Sequence, residues 1–140
     1  MKLHGIAAVN KHGYIGKNGK LMWKSPDDFK HFKNTTIGGI LIVGRTTFEN
    51  DFKCNPLPGR DCIVIGKNYN TPFEAISKAI LNATTTNKKI WICGGASIYN
   101  IFAPVIDEFH LSIINDEQIG DTKLDCSKLK NIIEYNFNTN

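Results

Sequence analysis

Four apolar runs are continuous instead of alternating and are rich in β-branched residues: Leu3–Val9 (LHGIAAV), Ile40–Val43 (ILIV), Cys62–Ile65 (CIVI) and Ile90–Cys93 (IWIC). A strand reads this way when neither side of its pleat meets water, which is the condition of a parallel sheet covered by helices on both faces. Helix signals fill the gaps, in SPDDFKHFKNTT (from Ser25), TTFEN (from Thr46), TPFEAISKAILNA (from Thr71) and ASIYNIFAPV (from Ala96). The third has Thr71 as cap, Pro72 at the first position, and Phe73, Ile76, Ala79 and Ile80 at helical spacing. Strand and helix alternate, so the expected class is α/β, a doubly wound and mostly parallel central sheet flanked by helices. After Pro104 the pattern changes. FHLSII (Phe109–Ile114) alternates weakly, and IIEYNF (Ile132–Phe137) reads as an antiparallel C-terminal edge strand.

With 140 residues the chain is expected to be one domain, 1–140, able to bury a core without disulfides or a structural metal. Its 41% hydrophobic and 21% charged residues are ordinary for a soluble protein, and no apolar run approaches the length a bilayer requires. The N-terminal MKLHGIAAVNKHG has no proper h-region or cleavage site and reads as a first strand, so the expected location is cytoplasmic, with no membrane partner. Cys54, Cys62, Cys93 and Cys126 have neither C-x-x-C spacing nor a histidine partner, so they read as reduced thiols and no metal is expected. The formal charge of +4 comes from scattered lysines, which suits a small anionic ligand and not a nucleic acid.

The glycine motifs all fall at strand ends. GRTT (Gly44, Arg45, Thr46, Thr47) follows the second strand, Gly66 and Lys67 the third, and GGAS (Gly94, Gly95, Ala96, Ser97) the fourth. The glycine-containing loop Asn10–Ser25 follows the first. In an open parallel sheet the carboxyl edge is where ligands bind, so these motifs converge on one crevice. Two glycine turns before helices suit a ligand with more than one phosphate, although GG alone also makes a tight strand-to-helix turn. G-x-G-x-x-G is absent, which excludes an ordinary Rossmann fingerprint. Arg45 offers a planar fork for a phosphate monoester, or is simply a solvated arginine.

Asp28 admits two readings. Three residues after Ser25, it completes the spacing of a capping box at the start of a helix. On that same helix it also shares a face with Phe32 and neighbours Phe29, so its carboxylate looks into an apolar arc.

Together these segments make the chain similar to dihydrofolate reductase over nearly its whole length. The resemblance is carried by GIAAV at Gly5, YIG at Tyr14, MW at Met22, PDDF at Pro26, GRTTFE at Gly44, PLPGR at Pro56, GGASIY at Gly94 and GDT at Gly120, in the family's order. It implies NADPH-dependent reduction of dihydrofolate. Asp28 would then grip the pteridine amino group and adjacent ring nitrogen, its pKa raised by burial. Trp23 and Ser112 would hold an ordered water and brace the acid, while Ile6 and Cys93 would offer backbone carbonyls. Ala8 and Phe32 would contact the ligand rings, and Arg60 the carboxylate of the glutamate tail. For the cofactor, the resemblance implies Ala8, Ile15 and Gly16 at the nicotinamide. It places the phosphates on Gly44, Arg45, Thr46, Thr47, Gly66 and Lys67 and on the second turn of Gly94, Gly95, Ala96, Ser97, Ile98 and Tyr99, where the paired glycines are joined by a cis peptide. The loop Gly13–Lys24 corresponds to the gating loop, with Asp121 helping to hold it closed.

Departures accompany the match. Ser112 stands where threonine is usual, Met22 where proline is common and Ala96 where a third glycine is frequent, and NDFKC alters the loop before NPLPGR. The family's turn and final strand have no counterpart after IIEYNF, so the expectation is a sheet without that strand and a monomer or weak homodimer. Two rival readings follow. A pyrimidine reductase of riboflavin synthesis would lack the Trp23, Pro26, Asp28 pattern, and a catalytically weak NADPH- and folate-binding protein would keep the fold without turnover.

Overall fold

A computed structural model describes residues 1–139. Six strands form one sheet: β1 (Leu3–Asn10), β3 (Ile40–Gly44), β4 (Asp61–Ile65), β5 (Ile90–Ile92), β6 (Glu108–Asn115) and β8 (Ile132–Asn138), in the order β4-β3-β5-β1-β6-β8. Every neighbouring pair is parallel. This corrects the expectation of an antiparallel C-terminal edge. The connection from β6 to β8, residues 116–131, is long enough to carry the chain back to the end where β6 began, so β8 pairs with it in the same direction. Antiparallel pairing is found instead in a separate two-stranded ribbon, β2 (Tyr14–Gly16) with β7 (Thr122–Lys123).

Side chains alternate across the sheet and meet two different layers. On one face Leu3, Ala7, Ile40, Ile42, Ile65, Ile90, Ile92 and Phe109 pack against α3 (Pro72–Thr86) and α4 (Ala96–Phe102). On the other, Ile6, Leu41, Val43, Val64, Trp91 and Cys93 meet Phe32 of α1 (Pro26–Thr36) and Phe48 of α2 (Arg45–Asn50). The face α3 presents differs from the one its larger side chains suggest. Ala75, Ala79 and Ala83 are the buried positions, whereas Phe73 is 78% exposed and Ile80 45%. Small residues let the helix lie close to the sheet and leave the bulky ones outside. Thr71 and Glu74 form a complete capping box at its start.

The strand order also fixes a crevice. From β1 the chain leaves toward β3 and β4 through α1 and α2, whereas from β5, its neighbour, it leaves toward β6 through α4 on the opposite face. Adjacent strands whose connections part in opposite directions open a gap beyond their carboxyl ends.

Candidate active site

That gap is a cleft of about 860 Å³. Its floor is set by register. Gly5 of β1 lies beside Ile92 of β5, which brings Ile6 next to Cys93, and Ala8 lies beside Ser112 of β6. Ile6, Ala8, Cys93 and Ser112 all line the cleft, with Trp23, Asp28 and Phe32 above them.

Ser25 starts α1 and accepts a hydrogen bond from the Asp28 amide at 3.4 Å, but the return bond of a capping box is not formed. The Asp28 carboxylate instead faces the cleft, buried to 6% exposure. Burial pushes its pKa up, while the Ser112 hydroxyl and the nearby His31 pull the other way. Ser25 has a second task, donating from its hydroxyl to the Asn138 carbonyl at 2.7 Å, which ties α1 to β8. Trp23 is buried, and its Nε1 has no hydrogen-bond partner among the described residues.

Arg60 closes the outer end. Its Nε donates to the Pro58 carbonyl at 3.0 Å and its Nη1 to Thr36 Oγ1 at 3.3 Å, and the guanidinium carbon stands 6.0 Å from the Phe32 ring centroid. The fork is thereby turned toward the cleft that Arg60 lines. At the inner end Tyr99 donates from its hydroxyl to the Ile6 carbonyl at 2.6 Å, so that carbonyl is already engaged on one side.

The two glycine turns lie side by side, with the Gly44 amide donating to the Gly94 carbonyl at 2.6 Å. A Cβ on Gly44 would come within 2.9 Å of Ile98 Cγ1, and one on Gly95 within 3.4 Å of Thr47 Oγ1. The Gly94–Gly95 peptide is cis. Neither α2 nor α4 has a side-chain cap, so their first amides remain free for an anion. Of the predicted cofactor residues, Ala8, Ile15, Thr47, Gly94, Gly95 and Tyr99 line the cleft. Arg45, Thr46, Lys67 and Ser97 are exposed beyond it, and a Cβ on Gly66 would meet Arg45 Cβ at 2.7 Å, so these turns form a shelf continuing outward. Ile98 points into the core of the α3 and α4 face, which leaves only its backbone to meet a ligand.

The gating-loop segment is fastened at several points. Asn18 donates its amide to Asp121 at 2.9 Å, Asp121 donates its own amide to the Gly16 carbonyl at 3.1 Å, and Gln118 donates to the Met22 carbonyl at 2.9 Å. Gly120 is required there, since a Cβ would fall 2.5 Å from the Gly16 carbonyl oxygen. On the other side Asn50 donates to the Gly19 carbonyl at 3.0 Å and Asp51 accepts from the Leu21 amide at 3.4 Å. Lys20, Leu21, Asn50, Asp51, Phe52, Lys53 and Leu57 also line the cleft. The sequence marks the segments that hold them, the loop Gly13–Lys24, NDFKC and PLPGR, but not these side chains as site residues, because no period in a loop or at the end of a short helix marks a facing side. Burial pushes the pKa of Asp51 up, a sign of its place in the wall.

The dihydrofolate reductase family model matches residues 2–136. Among curated relatives, dihydrofolate reductase type 9 of Escherichia coli is 33% identical over 141 residues, covering 91% of this chain and 78% of its own. The dihydrofolate reductase of Buchnera aphidicola subsp. Acyrthosiphon pisum is 37% identical over 126 residues, covering 86% and 77%. Among solved structures, dihydrofolate reductase from Enterococcus faecalis complexed with NADP(H) and RAB-propyl superposes with a TM-score of 0.74 at 33% identity, covering 90% of this chain and 80% of that one. The cleft at the parting of β1 and β5, the buried acid and the paired glycine turns therefore agree with the sequence matches: this chain belongs to the dihydrofolate reductase family.

Proposed function

We propose that the chain reduces 7,8-dihydrofolate to 5,6,7,8-tetrahydrofolate with NADPH, Asp28 orienting and polarising the pteridine while a water delivers the proton to N5. The observation that carries this reading is Asp28 itself, a buried acid that lines the cleft together with Trp23, Phe32 and Ser112. A carboxylate's two acceptor oxygens match a pair of parallel N–H donors, and in a water-poor cleft that match both fixes the ring and draws charge across it. Ile6 and Cys93 line the same cleft, and their backbone carbonyls would accept from the same end of the ring. The indole N–H of Trp23 is a buried donor with no acceptor among the described residues, suited to hold the water that serves the proton step.

The glycine shelf suits a dinucleotide, because the first-turn amides of α2 and α4 carry no side-chain cap and the missing Cβ atoms at Gly44 and Gly95 let the two turns pack side by side. Ala8, Ile15 and Gly16 would hold the nicotinamide, and Gly44, Thr46, Thr47 and Gly94 to Tyr99 the phosphates. Arg45, with Gly66 and Lys67 beside it, would hold the 2′-phosphate. When bound, NADPH supplies the hydride that C6 of the pterin accepts. Phe32 packs on the rings and Arg60 takes the tail carboxylate as a fork.

The test is the loss of NADPH absorbance on adding dihydrofolate, with Asp28→Asn alongside. Turnover in the wild type that falls about a hundredfold or more in the variant is the expected result. No turnover in a folded wild-type chain that still binds NADPH would replace this reading with that of a binding protein.

A further inference from the structure

α1 carries Asp28 into the cleft, yet it does not pack like a helix of an apolar core. Its buried residues are Asp28 and Thr36, while Phe32 is half-buried and Phe29 is 46% exposed. A helix without a buried apolar side chain gains little from the hydrophobic effect, so its seat on the sheet depends on other contacts. β8 supplies them. At the start of α1 the Ser25 hydroxyl donates to the Asn138 carbonyl at 2.7 Å. Further along, the His31 ring stands 4.2 Å from the Tyr135 centroid and 5.3 Å from that of Phe137. Those two rings alternate with Asn136 along β8 and so lie on one face of the sheet. His31 meets them by packing alone, because its Nδ1 lies 3.4 Å from Thr35 Oγ1 of its own helix and its Nε2 has no partner among the described residues.

Tyr135 is itself held in place. Its hydroxyl stands 2.9 Å from His110 Nδ1, and Glu108 Oε1 stands 2.8 Å from His110 Nε2. A carboxylate can only accept, so it holds a proton on Nε2 and leaves Nδ1 as the acceptor for the Tyr135 O–H. The two rings also stack, with centroids 5.8 Å apart. Register puts Tyr135 beside Ser112, a residue of the cleft, although β8 contributes no lining residue among the described ones.

β8 thus grips α1 on either side of the acid, at Ser25 before it and at His31 after it. We propose that β8 is a brace that sets where α1 holds Asp28, with Tyr135 a positioning residue for dihydrofolate that does not touch it. The proposal rests on the reading of Asp28 as the ring-holding acid. Asp28 and Phe32 both ride on α1, so a shift of the helix moves the acid and the packing ring of the substrate side together. The cofactor turns lie at the starts of α2 and α4 and do not move with it. A brace of this kind acts on substrate placement, where a displacement of about 1 Å is enough to be felt in the rate.

The experiment compares Tyr135→Leu, Tyr135→Phe and His31→Leu in the full chain, reading kcat/KM for dihydrofolate, the Kd for NADPH, and amide hydrogen exchange without ligand. Tyr135→Leu is expected to cost about tenfold in kcat/KM for dihydrofolate, while NADPH affinity stays within about twofold. Tyr135→Phe, which keeps the ring against His31, should recover most of that loss. His31→Leu removes the same contact from the helix side and keeps the test open if Tyr135→Leu folds poorly. It should match Tyr135→Leu, and the double variant should lose no more than either alone. In the free chain the α1 amides should exchange faster in both leucine variants, and those of α3 should not. Equal losses for dihydrofolate and NADPH, additive effects of the two leucine variants, or α1 amides exchanging as in wild type would each overturn the proposal. The exchange data need no turnover, so an inactive wild type would count against the reductase reading alone.

Discussion

The two faces of the sheet are built on opposite principles. Against α3 and α4, the packed side chains are Ile, Leu, Val, Ala and Phe with Tyr99, and Ile40, Ile42, Ile92 and Phe109 are completely buried. Against α1 and α2 the same strands meet buried Ser25, Asp28, Thr36 and Ser112. The buried side-chain atoms without partners among the described residues, His4 Nδ1, Trp23 Nε1 and His31 Nε2, belong to this face too. Unsatisfied polar groups in an interior weaken it, so their confinement to one face assigns stability to the other.

The largest effect is therefore expected far from the chemistry. Phe109→Ala removes a fully buried ring that meets Tyr99 edge-on at 5.7 Å, and should reduce the unfolding free energy by about 4 kcal/mol. Denaturant titration measures it, and kcat per folded molecule should not change. A loss under about 1 kcal/mol would mean that this face is not the one that holds the fold.

Next comes Ser25→Ala, where a polar residue of the cleft face is structural. The hydroxyl both caps α1 and donates to Asn138, so its loss should remove about 2 kcal/mol of stability, read in the same titration. An unchanged midpoint would separate β8 from the support of α1.

Trp23→Phe sharpens the contrast in the other direction. It keeps a ring in the cleft wall and deletes a donor that no described residue satisfies, so stability should stay within about 1 kcal/mol. Reductase activity should fall by about tenfold if that donor holds the proton-delivering water. Equal activity in wild type and variant would remove the indole N–H from the proton step.

Much of this division was readable in the sequence because continuous apolar runs and glycine turns leave local marks. The strands and the crevice at their carboxyl ends follow from such marks, whereas the local spacing around Asp28 left cap and buried acid both open, and the family resemblance pointed to the buried acid that the structure has. What the sequence concealed depends on tertiary approach. Phe73 and Ile80 look like the inner face of α3, yet alanines take that place because the helix lies close to the sheet. The direction of β8 depends on how far residues 116–131 carry the chain, and no local pattern encodes that. Asp51 and Lys53 enter the cleft wall only because the loop after α2 folds back over it.

The smallest effect concerns how the buried acid loads the fold. Burial raises the pKa of Asp28 in the native state above its unfolded value of about 3.9. Between the unfolded and native values the folded chain binds more protons than the unfolded one, so this group makes stability decline as pH rises through that window. Asparagine does not titrate, so Asp28→Asn should gain stability relative to wild type across the same window and hold a constant advantage above it. Unfolding free energies of both chains between pH 3 and pH 8 give the difference curve directly. A curve flat with pH would show that the Ser112 hydroxyl and His31 offset the burial of the carboxylate in full. A curve rising with pH shows that the cleft face carries its acid at the expense of the fold, against the support supplied from the other side of the sheet.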